Sequence, residues 1–120
     1  MAGSAPEGWH SITPRIFASD PAALVAFLKG VFGATGDFQL ERPTELWIGD
    51  SVLMISGDDV RGPIPAALYV YEADVDAVFG RAKTLGATVI EEPQDQPYGD
   101  RRATFEDPWG NLWQVASRNG

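Results

Sequence analysis

Two short segments of the chain alternate aromatic, polar and small side chains. The alternating residues are Thr13, Arg15 and Phe17 in the first segment and Ala67, Tyr69 and Tyr71 in the second. Residues two apart on a β-strand point to the same face, so each set shares one face of its strand. Sites for small molecules combine apolar walls with a few polar groups. These two faces therefore predict binding of a flat organic molecule that carries one anionic or carbonyl group.

Each of these side chains also has an ordinary structural explanation. A guanidinium inside a protein is costly unless it is paired, so Arg15 either reaches solvent, meets a carboxylate or meets the anion of a ligand. Tyr69 and Tyr71 either contact a ligand or only fill the interior of the fold. The residue types alone leave these alternatives open.

The elements that carry these residues form an internal repeat. The stretch from Ile16 to Ala34 is echoed from Val70 to Ala87, and each copy reads as a strand, an aspartate, an amphipathic helix and Gly-Ala. The offset is about 54 residues, the spacing between Asp20 and Asp74. A repeated strand–helix–strand–strand–strand unit predicts an α+β fold with two βαβββ modules and a cupped mixed sheet. Equivalent positions of the two modules would then line one cavity.

Local signals place the helices and strands. Asp20 and Asp74 are good helix N-caps, Pro21 suits the first helical position, and Gly33 and Gly86 end the two helices. The predicted strands are 11–17, 36–41, 45–48, 52–56, 67–72, 88–91, 102–106 and 112–117.

The same signals divide the chain. A flexible leader, 1–8, precedes a single domain at 9–120. Within it, modules at about 9–57 and 66–118 are joined by a polar linker at 58–65 that is rich in glycine and proline.

Composition excludes several classes of partner. The chain has 120 residues, a net charge of −8 and no cysteine. Its acidity argues against nucleic acid and against anionic membrane surfaces, which both require a basic face. No apolar run is long enough to span a membrane. The absence of cysteine fits a reducing cytoplasm, so a cytoplasmic location is predicted.

The repeat, together with the terminal run YGDRRATFEDPWGNLWQVA, resembles the vicinal-oxygen-chelate superfamily of glyoxalases, bleomycin-resistance proteins and extradiol dioxygenases. The resemblance covers about Trp9 to Ser117 and is strongest to small bacterial glyoxalase-like members. It implies paired βαβββ modules, helices outside, and a barrel-like sheet around a cavity. It also implies a homodimer.

Metalloenzymes of this superfamily hold one divalent ion with His, Glu or Gln side chains at four repeat-related strand positions. The resemblance places those positions at Thr13, Met54, Ala67 and Gln114. Alanine has no donor, a thioether is too soft, and a threonine hydroxyl is a weak ligand. The one histidine, His10, lies three residues before Thr13 and would face the other way. The resemblance therefore implies a degenerate metal site without a cofactor, although the carboxylate pairs at 58–59 and 91–92 remain candidates for Ca²⁺ or Mg²⁺.

The predicted ligand-binding residues extend beyond the two alternating segments. The full set is Thr13, Arg15, Phe17, Trp47, Met54, Tyr69, Tyr71, Tyr98, Arg101 and Gln114. Tyr98 and Arg101 belong to a loop predicted at 92–100 and its end, which closes over the cavity in relatives. Trp109 is interpreted as a turn residue, and Trp113 as packing on a helix or in a dimer interface. Asp100 is interpreted as a surface partner of Arg101 or Arg102.

Two functions follow. In the first, the protein binds a small aromatic or amphipathic molecule without a metal, as in sequestration of an antibiotic or metabolite. In the second, it is a lyase- or dioxygenase-type enzyme that is metal-independent or has a non-standard metal site, with Tyr69, Tyr71 or Arg15 as catalytic groups. No histidine or carboxylate is predicted inside the cavity, which favours the first.

Overall fold

The computed structural model of the protein describes residues 4–118, and its class is α+β, as predicted. The elements are β1 (Arg15–Ala18), α1 (Pro21–Phe32), β2 (Thr44–Ile48), β3 (Ser51–Gly57), β4 (Ala67–Tyr71), α2 (Val75–Thr84), β5 (Thr88–Asp95), β6 (Asp100–Glu106) and β7 (Leu112–Arg118). Residues 1–3 of the predicted leader and residues 119–120 lie outside the described part. Residues 4–8 are exposed. Neither helix of the described part is long and apolar enough to cross a membrane.

The strands form two mixed sheets rather than one continuous barrel. The first sheet has the order β1-β3-β2 and the second has the order β4-β7-β6-β5. In each sheet, the first strand of a module runs parallel to its last strand, with Arg15 opposite Met54 and Tyr69 opposite Gln114. These two pairs occupy equivalent places in the repeat. The internal repeat of the sequence is therefore a repeat of topology and register.

The first module has one strand fewer than predicted. The strand expected at 36–41 is absent, and only Thr35 pairs, through an isolated bridge to Trp47. Gly36 has a φ of 132°, and a Cβ there would lie 2.3 Å from the carbonyl oxygen of Glu45. The N–H of Gln39 donates to the side-chain hydroxyl of Thr44 at 2.8 Å and not to a backbone carbonyl of β2. Isolated hydrogen-bonded contacts therefore hold this segment, which does not pair along its length with a neighbouring strand.

Two other strands differ from their predicted bounds. The first strand begins at Arg15 and not at Ser11, because Pro14 has no N–H to donate to a ladder. Thr13 therefore lies outside the strand. In contrast, β5 continues to Asp95, so the loop predicted at 92–100 shrinks to 96–99. Pro93 is tolerated because β5 is an edge strand whose register shifts between Glu91 and Gln94.

The two helices begin as predicted and contact each other. The Asp20 carboxylate accepts from the N–H of Ala23, and the Asp74 carboxylate accepts from the N–H of Ala77, each at 3.1 Å. The Arg81 guanidinium of α2 donates to the carbonyl of Val31 at the end of α1, at 3.0 Å. This contact ties the modules together through their helices.

The helices cover one face of each sheet. Ile16, Leu53 and Ile55 are buried on that face, and Leu68 and Val70 pack against the same core. The predicted strand at 11–17 would place Ile12 on the same face as Ile16, but Ile12 is 85% exposed because it precedes β1. Trp113 is fully buried with its ring 5.1 Å from that of Phe32 in α1, which confirms the expected packing of Trp113 on a helix.

A buried carboxylate organises the turn between β6 and β7. One oxygen of Asp107 accepts from the N–H groups of Trp109 and Asn111, and the other accepts from the side chains of Asn111 and Trp113, at 2.9–3.0 Å. Asn111 in turn accepts from the N–H of Ala66 at 2.8 Å. The DPWGN motif therefore fixes both the last hairpin and the start of β4.

We expect Asp107→Asn to lower the free energy of unfolding by about 2–3 kcal/mol, because an amide nitrogen cannot accept from the donors that meet the second oxygen. Urea denaturation measures this change. Asp37→Asn removes the same charge at an exposed position and should change stability by less than about 0.5 kcal/mol. Equal effects of the two substitutions would contradict the role assigned to Asp107.

Candidate small-molecule site

Arg15 lies on the face of the first sheet that the helices do not cover. Its guanidinium donates to the Ser56 hydroxyl through Nε at 3.3 Å and Nη2 at 3.1 Å. The guanidinium carbon lies 4.7 Å from the centre of the Phe17 ring, a cation–π distance. Within residues 4–118, no carboxylate lies within 4.0 Å of this guanidinium. The side chain is therefore positioned by neutral groups, and its positive charge has no ion-pair partner among the described residues.

A cavity of about 620 Å³ opens beside Arg15, within the range usual for small-molecule sites. Arg15, Phe17 and Ser56 line its base, and two loop segments form its walls, at 38–43 and 58–61. Phe38 contributes an aromatic ring that is 36% exposed. The cavity thus combines aromatic surface with an available cation.

The open face of the second sheet carries a buried carboxylate surrounded by hydroxyls. Asp100 is 1% exposed and pairs with the Arg118 guanidinium. The Tyr69 hydroxyl donates to its other oxygen at 2.8 Å, and the Tyr71 hydroxyl lies 3.5 Å from that oxygen. This arrangement corrects two expectations, since Asp100 is neither a surface residue nor a partner of Arg101 or Arg102. A carboxylate does lie on this face.

The network continues across the sheet to β5. The Tyr98 hydroxyl lies 3.3 Å from that of Tyr69 and accepts from Arg102 at 3.0 Å. Arg102 binds Glu91 through two parallel hydrogen bonds of 2.8 Å, and Glu91 also accepts from the Thr104 hydroxyl. One chain of hydrogen bonds therefore connects Glu91 with Arg118. We call these seven residues the Asp100 network: Tyr69, Tyr71, Glu91, Tyr98, Asp100, Arg102 and Arg118.

The network fixes the protonation of its members. The hydrogen bonds from Arg118, with those from Tyr69 and Tyr71, hold the pKa of Asp100 below its ordinary value although burial opposes this. The Arg102 guanidinium likewise lowers the pKa of Glu91. Burial, with the hydrogen bonds to Tyr98 and Asp100, raises the pKa of the Tyr69 phenol. At neutral pH the carboxylates are ionised and Tyr69 is protonated.

Several predicted site residues lie on the open faces. Phe17 accompanies Arg15 in the first sheet, and Met54 is half-buried opposite Arg15. Gln114 lies between Tyr69 and Thr104, and its side chain makes no hydrogen bond within residues 4–118. It is therefore the polar side chain at the centre of this face that is available to a ligand.

Other predicted site residues lie elsewhere. Arg101 pairs with Asp76 of α2 and with Asp95, because the alternation of β6 turns it towards the helix, and Arg102 takes the place expected for it. Trp47 contacts Trp9 with ring centres 6.1 Å apart, and it lines a smaller cavity that shares Gln39, Arg42 and Pro43 with the Arg15 cavity. Thr13 is half-buried ahead of β1.

The predicted binding set omitted Asp100, Glu91, Arg102 and Arg118, whereas alternation along β3 groups Ser56 with Met54 from the sequence alone. For Asp100, the missing information was the start of β6. Had the strand been extended to Asp100, alternation would have placed Asp100 on the face of Arg102, Thr104 and Gln114.

The described residues do not fit the divalent metal site that the resemblance implies. The four implied positions hold Thr13, Met54, Ala67 and Gln114, which form no set of hard or borderline donors. Between residues 4 and 118, no three His, Cys, Asp or Glu side chains cluster as a metal site would require. Glu91, one of the carboxylates considered for Ca²⁺ or Mg²⁺, is engaged by Arg102 instead.

The open faces of the two sheets line different cavities. The Arg15 cavity contains no residue of the second module. A second cavity, of about 410 Å³, lies along the free edge of β4 and includes Tyr69 and Tyr71 together with His10 and Ile12. Within one chain, the two repeat-related faces therefore do not close around a single space.

Two repeated modules, in each of which the first strand runs parallel to the last, define a two-module α+β fold whose sheets are each open on one face. Residues 9–115 match the Glyoxalase/Bleomycin resistance protein/Dioxygenase superfamily. The chain belongs to this superfamily.

The most similar proteins include uncharacterized ones. The chain is 29% identical to a protein of Mycobacterium bovis, with 88% of this chain and 81% of the relative covered. A protein of Mycobacterium tuberculosis is also 29% identical, with 88% and 72% covered.

Solved structures share the fold. TioX from Micromonospora sp. ML1 superposes with a TM-score of 0.77 at 24% identity, covering 91% of this chain and 98% of that chain. A glyoxalase/bleomycin resistance protein/dioxygenase family enzyme from Burkholderia phytofirmans PsJN has a TM-score of 0.74 at 22% identity, covering 87% and 94%. At these identities the likeness concerns the fold alone.

We expect the melting temperature to fall as pH falls below about 4, because Asp100 and Glu91 have lowered pKa values in the folded state. Their stabilisation is present above the pKa of the unfolded chain and is lost as each carboxylate is protonated. Scanning calorimetry from pH 7 to pH 2 should show Asp100→Asn melting several degrees below the wild type at pH 7. The gap should narrow in acid, whereas an unchanged gap would contradict the role of the ionised carboxylate.

Proposed function

We propose that this protein binds a small aromatic or amphipathic organic molecule without a metal ion, and holds it rather than transforming it. The observation that supports this most is the contrast between the faces of the sheets. The aromatic rings on the helix-covered face, Phe105 and Trp113, are fully buried, whereas Tyr69, Tyr71 and Tyr98 are 39%, 57% and 55% exposed on the open face. Exposed aromatic surface next to fixed polar groups favours a binding site. Sequestration of an antibiotic or metabolite fits such a site.

The pKa values of the Asp100 network argue against the enzyme alternative. General acid–base catalysis needs a group whose pKa lies near the working pH. In the Asp100 network, the carboxylate pKa values are lowered and that of Tyr69 is raised, so each moves away from neutrality. A lyase or dioxygenase of this superfamily would have to use a group outside this network or a metal site of unusual composition.

We also propose that the protein forms a homodimer in which the two kinds of open face meet. Arg15 and Phe17 line one cavity of the chain, and Tyr69 and Tyr71 line another. The described chain is elongated, with extents of 44 × 33 × 21 Å. A second copy would cover the exposed tyrosines and complete a site from both modules. The cytoplasmic location remains a prediction from the absence of cysteine.

A thermal-shift screen tests the metal-free part of the proposal. A ligand at about a hundred times its dissociation constant stabilises by about 2.7 kcal/mol, which raises the melting temperature by several degrees. We expect such a shift with an aromatic organic compound, and none with Ni²⁺, Zn²⁺, Mn²⁺ or Fe²⁺. A clear rise of the melting temperature with one of these ions would overturn the proposal that the protein binds its ligand without a metal.

We expect Gln114→Ala to weaken binding of the compound found in that screen by about ten-fold, because the amide is available to it and a lost hydrogen bond costs about 1 kcal/mol or more. Isothermal titration calorimetry measures the affinity. Gln94→Ala, an exposed amide on edge strand β5, is the matched control. Unchanged affinity in Gln114→Ala would show that the site is misplaced, and turnover lost with Gln114 would favour the enzyme.

Sedimentation equilibrium at several concentrations tests the dimer. We expect a mass twice that of the 13.0 kDa chain, and partial dissociation when Tyr71 is replaced by Glu, since the new charge would be buried between copies. Glu92→Lys changes an exposed residue on β5 by two charge units and should leave the mass unchanged. A monomer at all concentrations would refute the dimer.

A further inference from the structure

We infer that the Arg15 cavity selects a planar aromatic anion, an aryl carboxylate, rather than a cationic or neutral compound. This inference rests on the proposed function, because it names the chemical class of the molecule that the protein binds. The net charge of −8 would by itself favour a cation. The geometry around Arg15 favours an anion instead.

The acidic groups of the open face are already neutralised. Asp100 is paired with Arg118, and Glu91 is paired with Arg102 through two hydrogen bonds. A cationic ligand would have to compete with a guanidinium for either carboxylate. The carboxylates of the Asp100 network therefore offer no free negative site.

Arg15 is in the opposite condition. Its Nε and Nη2 are held by the neutral Ser56 hydroxyl, and its planar group stacks on Phe17. Nη1 makes no hydrogen bond within residues 4–118. A guanidinium that is oriented by neutral groups and keeps free donors is suited to a carboxylate, because its fork matches the two carboxylate oxygens.

The walls of the cavity carry one more negative than positive charge. They contain Arg42 and Arg61 together with Glu41, Asp58 and Asp59. None of these three carboxylates lies within 4.0 Å of a guanidinium in the described chain. Arg15 is the charged lining residue that contacts both Phe17 and Ser56, so a ligand group beside those two side chains would meet a cation.

The apolar part of the lining specifies the rest of the ligand. Phe17 lies at the base beside the guanidinium, and Phe38 lies on the wall. Aromatic rings pair with planar ligands through offset or edge-to-face contacts. A flat ring system bearing one carboxylate would satisfy both the rings and Arg15.

The test compares three probes of the same shape: 2-naphthoate, 2-naphthamide and 2-naphthylmethylammonium. Dissociation constants are measured by isothermal titration calorimetry at low ionic strength, with the wild type, Arg15→Gln and Lys29→Gln. Lys29 is an exposed cation on α1 outside the cavity lining, so Lys29→Gln removes the same charge elsewhere. The melting temperature of each variant shows that it is folded. Arg15→Lys, which keeps the charge but not the fork, serves if Arg15→Gln is destabilised.

We expect 2-naphthoate to bind about ten-fold or more tightly than 2-naphthamide, with the ammonium compound weakest. Arg15→Gln should abolish this preference, Arg15→Lys should reduce it, and Lys29→Gln should retain it. Equal affinity for the naphthoate and the amide, or a preference that survives in Arg15→Gln, overturns the inference while the proposed binding function stands. No binding of any of the three probes overturns both.

Discussion

The two helices cover only one face of each sheet, and the rest of the structure depends on this constraint. α1 and α2 contact each other through Arg81 and Val31, and the apolar sides of the strands pack beneath them. The other sides must tolerate water or another molecule. Alternation along each strand places apolar residues on the covered face and other residues on the open face. In β4, Leu68 and Val70 pack against the core, whereas Tyr69 and Tyr71 face outward.

Two buried aspartates show how one residue type serves different ends. Asp107 is satisfied by backbone and side-chain donors from its own turn and from Trp113, so it determines where a hairpin lies. Asp100 is satisfied by Arg118 and two tyrosines from distant parts of the chain, so it orients side chains on a surface. Asp107 thus stabilises the fold, and Asp100 orients the side chains on the open face of the second sheet.

Sequence predicted the parts of this protein that local rules determine. The caps at Asp20 and Asp74 depend on residues three positions away, and the packing of Trp113 follows from alternation along one strand. The absent strand at 36–41 was not predictable in this way, because it depends on the close approach of Gly36 to Glu45. The exchange of Arg101 for Arg102 arose because Arg101 was assigned to the end of a loop. As a residue of β6, Arg101 alternates with Arg102 and faces the helix side.

The missing strand of the first module has a consequence for which substitutions this chain can accept. Residues 37–43 lie between Gly36 and Thr44 and contribute no ladder, so a change of length or sequence there breaks no strand pairing. The same segment forms a wall of the Arg15 cavity. The equivalent segment of the second module is β5, whose residues are committed to pairing with β6. The wall of the Arg15 cavity can thus be altered without breaking a strand, whereas β5 is held in place by its hydrogen bonds to β6.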